Sequence, residues 1–248
     1  MAMFYFSGTG NSRYVAELYC RHMGVECYSI EDEVDFDAIL AGHEIVGFCY
    51  PVYLSRVPRI MREFVARHKR ALKGKKAAIF CTQMLLSGDG ARAFADLLPK
   101  GHIQVVYAEH FFMPNNFTNL FLLPPTSERQ KRKFTACARR KMRRVCRDIK
   151  SGVVVKRGFN PVGRALGFIQ APLLPAAERA ARRSVKVRGN CTRCRICVSV
   201  CPVNNLVLRG DKLLHRRDCT MCYRCVNKCP QKAITVGFHG EVGKQYEM

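Results

Sequence analysis

Eight of the fourteen cysteines fall into two short runs with one pattern. The first reads Cys191-x2-Cys194-x2-Cys197-x3-Cys201-Pro202. The second reads Cys219-x2-Cys222-x2-Cys225-x3-Cys229-Pro230, an internal duplication offset by 28 residues. Cysteines three apart in a tight loop can wrap three corners of an iron–sulfur cubane, and a fourth thiolate must come from elsewhere. The spacing, with a proline that ends the local helical turn because it has no amide to donate, is the established bacterial pattern of 4Fe–4S ligation. Soft thiolates also hold structural zinc, but zinc modules present separated pairs, not three cysteines in succession followed by Cys-Pro. Secreted disulfide scaffolds are short and core-poor. This chain has 248 residues, is 48% hydrophobic and has clear apolar runs, which argues against that class.

A second candidate lies near the other terminus. Ser7-Gly8-Thr9-Gly10-Asn11-Ser12 directly follows an apolar run and opens a helical pattern. Its glycines permit a tight turn and close backbone approach, and its hydroxyls and amides donate hydrogen bonds. The helix N-terminus behind it favours negative charge, so the loop suits a phosphate. It lacks the lysine of a P-loop and the spacing of the dinucleotide fingerprint, which argues against nucleoside triphosphates and NAD. The bland alternative is a plain N-capping turn.

These groups need elements to hold them. Apolar runs at Ala2–Phe6, Ile45–Tyr50, Ala77–Cys81 and Gln104–Ala108 read as buried strands, with a weaker, edge-like run at Glu26–Ile30. Near-continuous apolar strands belong to a parallel sheet covered on both faces. Amphipathic stretches at Arg13–Met23, Arg59–Lys69 and Gly90–Leu98 alternate with them, so the fold class is α/β and doubly wound. Phe112–Pro125 reads as a Pro-rich loop. Ser127–Lys150 predicts a basic helix with one buried stripe of Phe134, Ala138, Met142, Val145 and Ile149. Glycines and prolines make 151–187 a basic irregular linker with short helices, one of them over Ala176–Arg183. The expected division is 1–150, 151–187 and 188–248, the last a compact cysteine-bearing module.

That module resembles bacterial two-cluster ferredoxins, and the glycine loop resembles the phosphate loop of flavodoxins. The whole chain resembles the fused flavodoxin–ferredoxin family of anaerobic bacteria and archaea. The carrying residues are Phe6–Ser12, Tyr50-Pro51-Val52-Tyr53, Val57-Pro58 with the helix Arg59–Phe64, and Met113-Pro114-Asn115-Asn116. The likeness covers residues 2–118 and 188–236. It implies a flavodoxin-like five-stranded sheet in the order 2-1-3-4-5, plus a small α+β ferredoxin domain. It implies a crossed ligand set for two 4Fe–4S clusters: Cys191, Cys194, Cys197 and Cys229 on one, Cys219, Cys222, Cys225 and Cys201 on the other. It also implies FMN at the carboxyl ends of the strands. Ser7, Gly8, Thr9, Gly10, Asn11 and Ser12 would hold the phosphate. Pro51, Val52, Tyr53 and Leu54 would lie on one side of the ring, with Tyr53 stacked on it. Thr82, Gln83, Ser87 and Gly88 would lie on the other, and Arg56 is expected near the reduced flavin.

Such cofactors imply electron transfer, because clusters pass single electrons and flavin takes one or two. The alternative is a flavin-dependent reductase of a small acceptor, fed by its own ferredoxin module. The net charge of +23 is uneven: residues 128–188 carry 19 basic and 3 acidic side chains, against 13 and 12 over residues 1–127. The expected partner is an acidic redox protein. Nucleic acid is disfavoured, since no DNA- or RNA-binding motif is present. An anionic membrane surface is the third possibility, with Phe159, Leu166, Phe168, Ile169, Leu173 and Leu174 as insertable groups. Arg193, Arg195, Arg224 and Lys228 among the ligands predict less negative cluster potentials than in an acidic homologue. No apolar stretch approaches the roughly 20 residues of a spanning helix, and no export leader is read, so the expected compartment is the cytoplasm. Cys20, Cys27, Cys49, Cys81, Cys137 and Cys146 show no metal spacing, and Glu31–Asp37 reads as a solvated connection.

Overall fold

The computed structural model of the chain describes residues 1–85, 88–99, 101–119, 126–237 and 239–248. β1 (Ala2–Tyr5), β2 (Glu26–Ser29), β3 (Ile45–Pro51), β4 (Lys76–Gln83), β5 (Gln104–Phe112) and β6 (Val155–Lys156) form one parallel sheet. Its order is β2-β1-β3-β4-β5-β6. The central strands are apolar at successive positions because both faces are covered. On one face, α1 (Asn11–Met23) and α5 (Glu128–Lys150) pack over Met3, Ala78, Phe80 and Tyr107. On the other, α2 (Phe36–Ala41), α3 (Arg59–Arg67) and α4 (Gly90–Ala95) bring Phe36, Phe64 and Phe94 onto Phe4, Phe48 and Ile79. Phe36 and Phe64 meet edge-on at 5.0 Å, and each fully buried phenyl contributes roughly 1.5–3 kcal/mol.

Local signals set the helix ends. α5 starts in a capping box between Ser127 and Gln130 and buries Ala138, Met142 and Val145 along its stripe, with Phe134 and Ile149 half-buried. α2 is absent from the sequence expectation. Asp35 caps it at Ala38, and Phe36 and Leu40 anchor it, but six residues are too few to show a helical period. β5 runs beyond Ala108 to Phe112.

The expected five-stranded sheet has a sixth strand, and residues 151–187, expected as a linker with short helices, carry that strand and two helices. β6 pairs Val155 with Tyr107 and Lys156 with Ala108. Two residues between Gly152 and Gly158 carry too little pattern to read as a strand. α6 (Pro161–Gln170) follows, opened by Asn160 accepting from the Gly163 amide at 2.7 Å, and then α7 (Leu173–Arg183). Buried charge ties this segment to the sheet. The fully buried Glu109 of β5 accepts from Arg144 and Arg157, each at 2.9 Å, and from Lys141 at 3.3 Å. Glu109→Ala strands three cations without their shared carboxylate. These cations are 28%, 44% and 54% exposed and regain water, so the substitution is expected to lower stability by about 1 kcal/mol, a fall of roughly 3 °C in Tm for a chain this long. An unchanged thermal melt would refute that role.

The smaller module pairs β7 (Lys186–Val187) with β10 (Ile234–Thr235) and folds β8 (Leu206–Arg209) onto β9 (Lys212–His215), with short helices α8 (Ile196–Ser199) and α9 (Arg224–Lys228). Leu206, Tyr223, Val226, Ile234 and Val236 form its core. Among the described residues no helix is long and apolar enough to cross a membrane.

Candidate functional site

The two cysteine runs repeat in backbone as well as in sequence. Left-handed residues flank the second cysteine of each: Arg193 and Arg195 at φ 58° and 63°, and Met221 and Tyr223 at 56° and 60°. Such residues cost about 1–2 kcal/mol each and build concave turns suited to anions. Cys191, Cys194 and Cys197 line one cavity together with Cys229, while Cys219, Cys222 and Cys225 line another together with Cys201. Each run thus sends its fourth cysteine to the other run's cavity. The amides of Asn205 and Ala233 donate to the Cys201 and Cys229 sulfurs at 3.2 and 3.3 Å, the kind of contact that would tune an iron–sulfur cluster held there.

Among the described residues, no three His, Cys, Asp or Glu side chains converge as they would around one metal ion. The eight thiols line two cavities, four to each. Burial pushes the Cys222 thiol up to about 12 and those of Cys197 and Cys219 up to about 11, so a soft metal group bound here would displace protons.

A separate cleft opens at the carboxyl ends of β1, β3 and β4. Its walls are Ser7, Gly8, Thr9, Asn11 and Ser12; Pro51, Val52 and Tyr53; Thr82, Gln83 and Met84; and Met113, Pro114, Asn116 and Phe117. Ser12 Oγ and Thr82 Oγ1 share a hydrogen bond of 2.7 Å, and Asn11 donates to the Pro114 carbonyl at 2.9 Å. The N-terminus of α1 has no side-chain cap and no acidic residue in its first turn, which leaves amides for an outside acceptor. Buried Thr9 Oγ1, Tyr53 OH and Gln83 Oε1 have no hydrogen-bond partner among the described residues. A buried polar atom in that state costs roughly 1–3 kcal/mol, so three of them on one cleft mark the place of a polar ligand. Hydroxyls, an open helix terminus and an aromatic wall fit the phosphate and ring of FMN.

Several expected contacts fall elsewhere. Gly10 is the left-handed N-cap of α1 and faces Met248, whose amide donates to the Thr9 carbonyl at 3.0 Å. Leu54 turns to solvent in a left-handed bend. Gly88 packs on the α6 backbone at Gly163 and Gly167 and donates to Ser55 Oγ. Ser87 lies outside the described residues. Arg56 does not face the cleft; it donates to the fully buried Asp89 at 2.9 Å and to the Gly167 carbonyl at 3.1 Å, because a desolvated carboxylate holds a guanidinium more strongly than an open cleft does.

The cleft and the second cysteine run are in contact. A Cβ on Gly8 would lie 2.3 Å from the Cys222 carbonyl oxygen, so only glycine permits this approach. Arg224, just past Cys222, donates to the Ser7 carbonyl at 2.7 Å and to Gly8 at 3.1 Å. It also pairs through both Nη atoms with Glu31. Arg224 therefore points inward, and Glu31 is its partner, not part of a solvated connection. The signal for this was a break in the internal repeat: the position of Arg224 is occupied by Ile196 in the first run. Burial, with the charge of the Cys222 and Cys219 thiols adding to it, holds the Tyr53 hydroxyl well above the usual phenol range, so it stays protonated on the cleft wall.

Arg193 is half-exposed and leans on Asp211, where solvent and salt screen it. Arg193→Glu is expected to leave both cluster potentials unchanged in an EPR redox titration. A clear negative shift would restore it as a tuning charge.

Residues 2–122 match the family model for a flavodoxin domain, and residues 190–234 match the one for a 4Fe-4S dicluster domain. Among solved structures, the Trp repressor binding protein from Bacillus subtilis is 15% identical. That match covers 56% of this chain and 94% of the other, with a TM-score of 0.40. The two-electron reduced flavodoxin of Megasphaera elsdenii is 19% identical over 55% of this chain and 97% of its own, at 0.37. General stress protein 14 from Treponema denticola, in complex with FMN, is 12% identical over 61% and 95%, at 0.40. A comparison with curated proteins returns no match.

Proposed function

The chain joins a flavodoxin domain to a 4Fe–4S dicluster domain, and from that premise we propose that it passes electrons between two 4Fe–4S clusters and one FMN, mediating between one- and two-electron partners. The observation that carries this reading is the contact of Gly8 with the Cys222 carbonyl: the loop suited to a flavin phosphate abuts the loop suited to a cluster. FMN supplies one- and two-electron chemistry when bound, and the clusters supply one-electron chemistry.

Ser7, Thr9, Asn11, Ser12 and the α1 N-terminus hold the phosphate in this reading. Tyr53 covers the ring, and Thr82 and Gln83 face it. Cys191, Cys194, Cys197 and Cys229 ligate one cluster; Cys219, Cys222, Cys225 and Cys201 ligate the other. An acidic redox protein docks on α5, where Lys133, Arg139, Arg140 and Arg143 stand exposed. The proposed compartment is the cytoplasm, where thiols stay reduced.

The test is an anaerobic reconstitution with iron, sulfide and acid-released flavin assayed on one sample. Roughly eight irons and one FMN per chain are expected. Eight irons without flavin, even after FMN is added, would remove the flavin half of the reading. The second reading, a reductase of a small acceptor, is favoured by the apolar lip of Met84, Met113 and Phe117 on the cleft. Turnover of a small acceptor by reduced protein alone would select it.

A further inference from the structure

The corner between α6 and α7 presents an apolar face to solvent. Val162, Phe168, Ile169 and Leu173 are 69%, 79%, 69% and 54% exposed. They fall on one side of the two helices, while Gly163, Gly167 and Leu174 turn inward against the flavodoxin layer. Soluble domains seldom leave such side chains clustered in water. The exposed charge carried by these two helices has one sign. Arg164 and Arg179 are exposed and make no ion pair among the described residues. The single carboxylate of these two helices, Glu178, is turned in and held by Arg62 through both oxygens.

We propose that this corner is a peripheral contact for an anionic membrane surface, with Phe168 and Ile169 inserted among the lipids and the arginines at the headgroups. The site is independent of the redox reading. Large apolar side chains ringed by cations are the composition of interfacial helices. A second copy of the chain would bring the same uncompensated cations to the contact and be repelled. Nucleic acid would use the arginines but gain nothing from Phe168 or Ile169, since phosphate contacts come from cations and polar groups. Side chains that stand out by two-thirds or more of their surface suit a deformable lipid layer, because no matching pocket is needed.

The chain contains no tryptophan, so Phe168→Trp places a sole indole reporter at the contact. The experiment adds the cofactor-loaded, full-length protein to vesicles of phosphatidylcholine alone or mixed with phosphatidylglycerol. Flotation with the anionic vesicles only, weakened by salt, is expected, with a blue shift of the indole emission in the Phe168→Trp variant. Phe168→Asp with Ile169→Asp is expected to lower partitioning at least tenfold, and each of Arg164→Gln and Arg179→Gln about fivefold. All four positions are exposed, so iron content and Tm should not change. Absence of flotation would overturn the proposal. So would flotation that survives the double substitution, which would assign it to the basic face of α5. Substitutions that weaken capture of an acidic redox protein while vesicles stay unbound would assign the corner to a protein instead.

Discussion

Arg224→Ala should weaken FMN binding at least tenfold and lower stability by about 3 kcal/mol, read by quenching of flavin fluorescence and by thermal denaturation. One guanidinium here meets three separate parts of the chain. It donates to the carbonyls of Ser7 and Gly8, pairs with Glu31, reaches the Val200 carbonyl at 3.4 Å, and lies 5.8 Å over the Phe6 ring. The pair is mostly desolvated, with 18% of the Arg224 side chain and 22% of Glu31 exposed. Its loss leaves a carboxylate and three carbonyls short of donors, and salt will not replace them. The Ser7–Gly8 end of the loop would then lose its anchor to the cysteine module, though Thr9, Asn11 and Ser12 keep their bonds to Met248, Pro114 and Thr82, and FMN would have to order that end on binding. Arg224→Lys should recover part of the loss, since an ammonium keeps the charge but cannot reach Glu31 and the carbonyls together. Because Arg224 sits between Cys222 and Cys225, chain lacking its clusters should show the same weakened FMN binding as the alanine variant. FMN affinity indifferent to both changes would show that the contact is passive packing.

Cys229→Ala should abolish the cluster site of the other cysteine run and spare its own. Cys229 lines the cavity of Cys191, Cys194 and Cys197, whereas its neighbour Cys225 lines the cavity of Cys201. Iron should fall from about eight to about four per chain, and the EPR spectrum of the reduced protein should match that of Cys194→Ala. Cys201→Ala should instead match Cys222→Ala. That second pair should also lose FMN affinity, because their cavity abuts Gly8. Matching spectra for Cys229→Ala and Cys222→Ala would mean that each run ligates its own cluster and would refute the crossed arrangement.

Much of this was legible because it is local. The cysteine spacing, the glycine turn opening α1, the apolar central strands and the stripe on α5 are each set by residues a few positions apart. There, periodicity and backbone preference act without reference to the rest of the chain. Ser7, Thr9, Asn11, Ser12, Pro51, Val52, Tyr53, Thr82 and Gln83 do meet on one cleft, since in a doubly wound sheet the loops at the carboxyl ends of neighbouring strands must converge.

Only the tertiary structure decided how charged side chains pair. By position alone Arg56 reads as a flavin contact and Arg224 as a charge among the ligands, yet Arg56 holds Asp89 and Arg224 holds Glu31. Lys141, Arg144 and Arg157 belong to a segment that reads as a basic docking face, and they converge on Glu109. Long side chains go to whichever buried carboxylate or carbonyl the packing brings within reach, and those partners lie 31 to 217 residues away in sequence. Short-range pattern carries no record of such partners, so the cysteine runs and the phosphate loop could be read singly, while their meeting at Gly8 and Cys222 could not.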